Sequence, residues 1–153
     1  MAAAVAEALR ILRPGGLLLD VHPEAAPLRL EAWTPRPGLP AEDERADPAD
    51  YDRTRLGDFA PDDSQADFHA STQALALAET LGFVDRQTVP FEYRYVFDSL
   101  DELTDYLEEN EELDLAGDAL LERALMALQS APRPARLVLV QPVIATRLLK
   151  PAA

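Results

Sequence analysis

The sequence predicts an α/β fold of three main strands with about four helices. Three observations carry this expectation. Ala8 to Pro23, ALRILRPGGLLLDVHP, reads as the end of an amphipathic helix, a forced turn and a short apolar strand. Phe83 to Phe97 alternates aromatic and polar residues at the period of a strand. Ala135 to Leu149 is a second long β-type run, and helical stripes of leucine and alanine lie between the two. With 153 residues, 48% hydrophobic and 27% charged, the chain has the composition of one soluble globular domain, 1–153.

In chain order, Val5, Leu9 and Leu12 form the stripe of the first helix. Pro14 ends it, because the ring blocks the previous turn and carries no N–H. Gly15 and Gly16 permit a tight reversal. Leu17, Leu18, Leu19 and Val21 then suit a strand covered on both faces, and Pro23 stops it. Leu28 to Trp33 alternates and is expected to continue or pair with that strand. Thr34 to Pro61 is rich in proline and acid and is expected to be a long irregular loop, anchored by Tyr51, Leu56 and Phe59.

Asp67 to Gly82 is expected to be a helix capped by Ser71 or Thr72, with Leu75, Ala78 and Leu81 buried and Gly82 just past its end. Pro90 demotes the Phe83 to Phe97 strand to a sheet edge or a bulge. Ser99 and Glu102 form a capping-box pattern before a helix whose stripe is Leu100, Leu103 and Leu107. A further helix spans Gly117 to Gln129, with Leu120 or Leu121, Ala124, Leu125 and Leu128 buried, and Pro132 and Pro134 follow it.

The helix–LRPGG–strand segment resembles the second half of class I S-adenosylmethionine-dependent methyltransferases, where it leads into the fifth strand of a seven-stranded sheet. The later elements follow the same order from Val5 to Leu149. The resemblance implies a partial Rossmann-like sheet, with the last strand inserted antiparallel between the first and the long aromatic one. It also implies the transferase half that lacks the glycine-rich cofactor loop and the acidic ribose ligand. No residue of this chain is therefore assigned to cofactor binding, and the chain alone is expected not to bind S-adenosylmethionine.

Charge narrows the partners. A formal net charge of −14 argues against binding a phosphate backbone, so no nucleic acid is expected. No apolar run approaches a membrane span, the first residues lack a basic secretory start, and a cytoplasmic location follows by default. Absence of cysteine removes disulfides and thiolate chemistry. His69 near Asp62, Asp63 and Asp67 does not make a metal site, and the acidic run Asp98 to Asp118 lacks the pattern of a calcium loop.

The candidate catalytic residues are Asp20 and His22, at the carboxyl end of the first strand, where open α/β sheets hold ligands. They suit a general base or a pair that positions the methyl acceptor. The bland reading is a turn carboxylate and a partly exposed imidazole. Tyr93 and Tyr95 are the candidate substrate-binding residues, against the reading that their aromatic face is core.

Three functional readings follow. The first is a methyltransferase-like half-domain, derived from an enzyme or completed by a partner that supplies the missing half. The second is a non-catalytic scaffold that keeps the sheet. The third is a methyltransferase truncated at its start. The Leu17 to Val21 strand would then have an unprotected edge, and a homodimer formed through that edge is expected.

Overall fold

Helix α1 (Ala2–Ile11) ends in the turn the sequence dictates, and the turn is pinned from the far end of the chain. Gly15 takes φ +72° and donates its N–H to the carbonyls of Lys150 and Pro151 at 3.1 and 3.2 Å. A Cβ on Gly16 would lie 2.8 Å from the Arg13 carbonyl oxygen, so a side chain there would force the turn apart. Lys150, the sole lysine, donates from Nζ to the carbonyls of Leu9 and Leu12 at 2.7 and 2.6 Å. It satisfies orphan carbonyls and places a positive charge at the negative end of the helix.

The structure, a computed structural model, describes residues 2–38 and 47–152; Pro40, within the expected loop, lies outside the described residues. The remaining elements are β1 (Leu17–Pro23), β2 (Arg29–Pro35), β3 (Tyr51–Asp58), α2 (Ser64–Ala76), α3 (Ala78–Leu81), β4 (Val84–Phe97), α4 (Leu100–Glu109), α5 (Leu113–Ala116), α6 (Asp118–Ser130) and β5 (Arg136–Leu149). The described residues thus form five strands and six α-helices, with a short 3-10 turn at Pro48–Asp50, where three main strands and about four helices were expected. Helices α3 and α5 are single turns.

The class is α/β, and the sheet is antiparallel throughout, with order β1–β5–β2–β3 and β4 also paired to β5. Strand β1 pairs β5 from Leu17 opposite Leu149 to Pro23 opposite Val143. Strand β2 pairs β5 from Arg29 opposite Val140 to Trp33 opposite Arg136. So β2 joins the last strand rather than β1, and its other side takes β3 in a hairpin with a bulge between Leu30 and Glu31. The second half of the expected irregular loop is therefore a strand. Tyr51 and Phe59 are buried beside it, as its apolar anchors suggested.

The chain divides into two compact units. One comprises Met1–Ala26, Asp62–Tyr93 and Gln141–Ala153, and the other comprises Pro27–Pro61 and Arg94–Val140. In the first, Val5, Ala74, Leu75, Ala78, Phe83 and Leu148 form the core, with Leu9, Leu12 and Leu18 against it. Gly82 ends α3 in the left-handed conformation at φ +113°, which lets Phe83 turn inward. Only one face of β1 is buried. Leu17, Leu19 and Val21 stay 55%, 68% and 56% exposed, which corrects the expectation of a strand covered on both faces. Helices pack on the Leu18 face, and within this unit the opposite pleat has no helical cover.

In the second unit Leu30, Phe97, Leu103, Leu107, Leu120, Ala124, Leu137 and Leu139 belong to one core. Ser99 caps α4 by accepting from the Glu102 N–H at 3.1 Å. The Glu102 carboxylate accepts from the N–H of Asp98, one residue before the position a capping box would give. Leu125 is 40% exposed, so it stands outside the α6 stripe assigned to it.

Candidate functional site

Alternation along β1 puts Leu18, Asp20 and His22 on the face toward α2, and burial follows it: His22 is 8% exposed while Val21 beside it is open. An imidazole this buried must bond at both nitrogens or lose hydration without return. Asp20 Oδ1 lies 2.5 Å from His22 Nδ1, and Thr72 Oγ1 lies 3.1 Å from Nε2. The Thr72 hydroxyl also donates to the Phe68 carbonyl at 3.1 Å. Ser71 likewise donates to the Asp67 carbonyl at 2.8 Å. Neither residue caps α2, which starts at Ser64; both lie in its interior and bond back one turn.

This series has two hydrogen-bonded states. With the Thr72 proton on the Phe68 carbonyl, Nε2 must donate to Thr72 while Nδ1 donates to Asp20, so the ring is an imidazolium. When Nε2 has lost its proton, it accepts from Thr72, and the Phe68 carbonyl loses that donor. Asp20 holds Nδ1–H in both states. The arrangement therefore takes or gives a proton at one defined atom, Nε2, which is the capacity of a general base or acid.

Beside the imidazole is a cleft of about 300 Å³ lined by His22, Thr72, Leu75, Ala76, Arg86, Thr88, Ile144 and Thr146. It belongs wholly to the first unit. Thr146 is 2% exposed, and its hydroxyl stands 3.4 Å from that of Thr88 on the neighbouring strand. Arg86 donates to the Leu75 carbonyl at 3.5 Å and makes no ion pair among the described residues. Asp85, next to it, is committed to Arg147. A second cavity of about 140 Å³ lies between α1 and α2, lined mostly by Ala4, Val5, Ala8, Leu18 and Leu75, with Asp20 at its wall.

The second unit holds a different polar cluster. Glu31 is 5% exposed and accepts from Trp33 Nε1 at 2.8 Å, Arg29 Nε at 2.6 Å and Arg53 Nε at 2.9 Å. Burial pushes its carboxyl upward. The bonds from Trp33, Arg53 and Arg29 and the charge of Arg53 outweigh that push and hold it below the ordinary carboxylate value. The guanidinium groups of Arg53 and Arg94 lie 4.9 and 5.6 Å from the centre of the Trp33 ring.

Asp20 and His22 are thus brought together, and Thr72 and Arg86 join them without any signal in local sequence. Tyr93 and Tyr95 do not line the cleft. Tyr93 is 52% exposed, and Tyr95 stacks on Tyr106 at 5.0 Å in the second unit, so the aromatic face is core at one end and open at the other. His69 is exposed and bonds Gln73 at 2.8 Å. Among the described residues no group of three or more His, Asp or Glu is placed to hold a metal ion, and no helix is long and apolar enough to cross a membrane. Compared with known proteins, the sequence matches no family model, and no curated protein is significantly similar to it.

Proposed function

We propose that the chain is a methyltransferase-like half-domain, the acceptor-facing part of a class I S-adenosylmethionine-dependent fold without the part that holds the cofactor. The observation that carries this reading is strand order. After the LRPGG turn, β5 pairs antiparallel with β1 and also pairs with β4, which supports the order expected of that family's terminal half. Asp20 and His22, towards the end of β1, are taken in this reading as the residues that face the acceptor. In this role the Thr72 hydroxyl passes its proton to His22 Nε2 and takes the acceptor's proton in its place, and Asp20 keeps the ring oriented.

The cavity beside β1 and α1 does not fit the cofactor itself: it is about 140 Å³, below the roughly 300–1,000 Å³ of small-molecule sites, and its lining is mostly apolar. In this reading the half-domain relies on another chain or segment for the cofactor. Calorimetry of the purified chain with S-adenosylmethionine tests this: no saturable heat is expected, and saturable binding at micromolar cofactor would contradict it.

A second reading, a homodimeric scaffold, is favoured by β1. Its only strand neighbour among the described residues is β5, so the other edge is unpaired, and exposed Leu17, Leu19 and Val21 flank it. Two copies paired about a two-fold axis would join their sheets. Light scattering should give a dimer mass for the wild type and a monomer mass for Leu19→Lys. A wild-type monomer at tens of micromolar would contradict this reading.

A further inference from the structure

We propose that the His22 cleft binds a small organic carboxylate with a short apolar body. Its wall supplies the donors such a ligand needs: the Arg86 guanidinium and the paired hydroxyls of Thr88 and Thr146. A guanidinium presents a planar fork that matches the two oxygens of a carboxylate. Among the described residues Arg86 makes no ion pair, while Asp85, next to it in sequence, is engaged by Arg147, and Asp20 by His22. Asp20 is also screened from the cleft, which it does not line, by the imidazole it holds.

The floor sets the rest of the ligand. The side chains of Leu75, Ala76 and Ile144 supply the apolar part of the lining. A volume of about 300 Å³ admits a small acid and sits at the lower limit of drug-sized sites. The proposed acceptor side of the half-domain is this same cleft, but the binding needs no cofactor. Loss of the methyltransferase reading and loss of the carboxylate site are thus separately visible.

The test is an amide NMR titration of the full chain with isobutyrate, with isobutyramide as the neutral isostere and inorganic phosphate as the rival anion. Isobutyrate is expected to shift the amides of Thr72, Arg86, Thr88 and Thr146 saturably, and isobutyramide is not. Arg86→Gln should weaken isobutyrate by about tenfold or more, since a charge-assisted pair is lost. Thr88→Val, which keeps the strand shape, should weaken it less; the same spectra report whether each variant is folded. Equal binding of isobutyrate and isobutyramide would leave only an apolar pocket and overturn the proposal. Phosphate binding as tightly as isobutyrate would make the cleft a general anion site and overturn the carboxylate assignment. Unsaturable shifts, or an Arg86→Gln variant with undiminished affinity, would also overturn it.

Discussion

Glu31 and Asp20 are both strand carboxylates brought beside a ring nitrogen, yet their surroundings differ in kind. Glu31 is surrounded by donors: one indole and two guanidinium groups bond it. The Glu31 carboxylate is thus fully engaged, and through Arg53 it ties β2 to β3. Asp20 makes one short bond to His22, whose far nitrogen meets a hydroxyl at a cleft with an arginine that has no ion pair. A saturated polar cluster is read as structure, and an incompletely matched one beside a cavity as a place for something else.

The largest effect should come from breaking the saturated cluster. Glu31→Gln removes the charge that faces Arg29 and Arg53, and both arginines are partly exposed, so a loss of about 2–3 kcal/mol is expected, less than for a fully buried pair. Urea denaturation measures it; a loss under about 0.5 kcal/mol, the size of an ordinary surface change, would mean the cluster is incidental. The same variant sharpens the pH behaviour. Because Glu31's folded value is lowered, its contribution is present above the unfolded carboxylate value and is lost as pH falls through the folded one. Glu31→Gln should therefore flatten the acid limb of the stability curve, and an unchanged limb would contradict the assignment.

A smaller effect is expected at Asp20. Asp20→Asn should cost about 1 kcal/mol, the size of one hydrogen bond, while changing which imidazole nitrogen of His22 carries its proton. Imidazole nitrogen NMR reads that change directly; an unaltered tautomer would show that Asp20 does not orient the ring. The smallest effect belongs to Asp52, paired with Arg36 where both are more than half exposed. Asp52→Asn should change stability by no more than about 0.5 kcal/mol.

How far these features could be read from the sequence depends on whether their cause is local. The helix–LRPGG–strand turn was legible because proline fixes its own backbone and glycine frees it, Gly82 was legible through the same freedom, and Ser99 through the local bond its side chain makes to the next turn. Asp20 and His22 were singled out by their place at the end of one strand, and the alternation of that strand puts them on one face. Strand β3 was not, because Tyr51 to Asp58 is half charged and mostly exposed and becomes a strand through its pairing with β2. The open pleat of β1 was missed because four apolar residues look alike whether one face or two is covered. Thr72 and Arg86 join His22 only through the packing of α2 and the pairing of β4 with β5, which no spacing encodes. Arg29, Glu31 and Trp33 did carry a signal, three residues of one strand face at period two.

The contrast between the two clusters is tested most directly by measuring two properties on two variants together, urea stability and isobutyrate affinity for Glu31→Gln and Arg86→Gln. The predicted result is a crossing. Glu31→Gln loses about 2–3 kcal/mol of stability with its affinity kept, and Arg86→Gln keeps its stability while affinity falls about tenfold. If both variants lost the same property, or Glu31→Gln lost affinity while remaining stable, the division between a structural cluster and a ligand site would be contradicted.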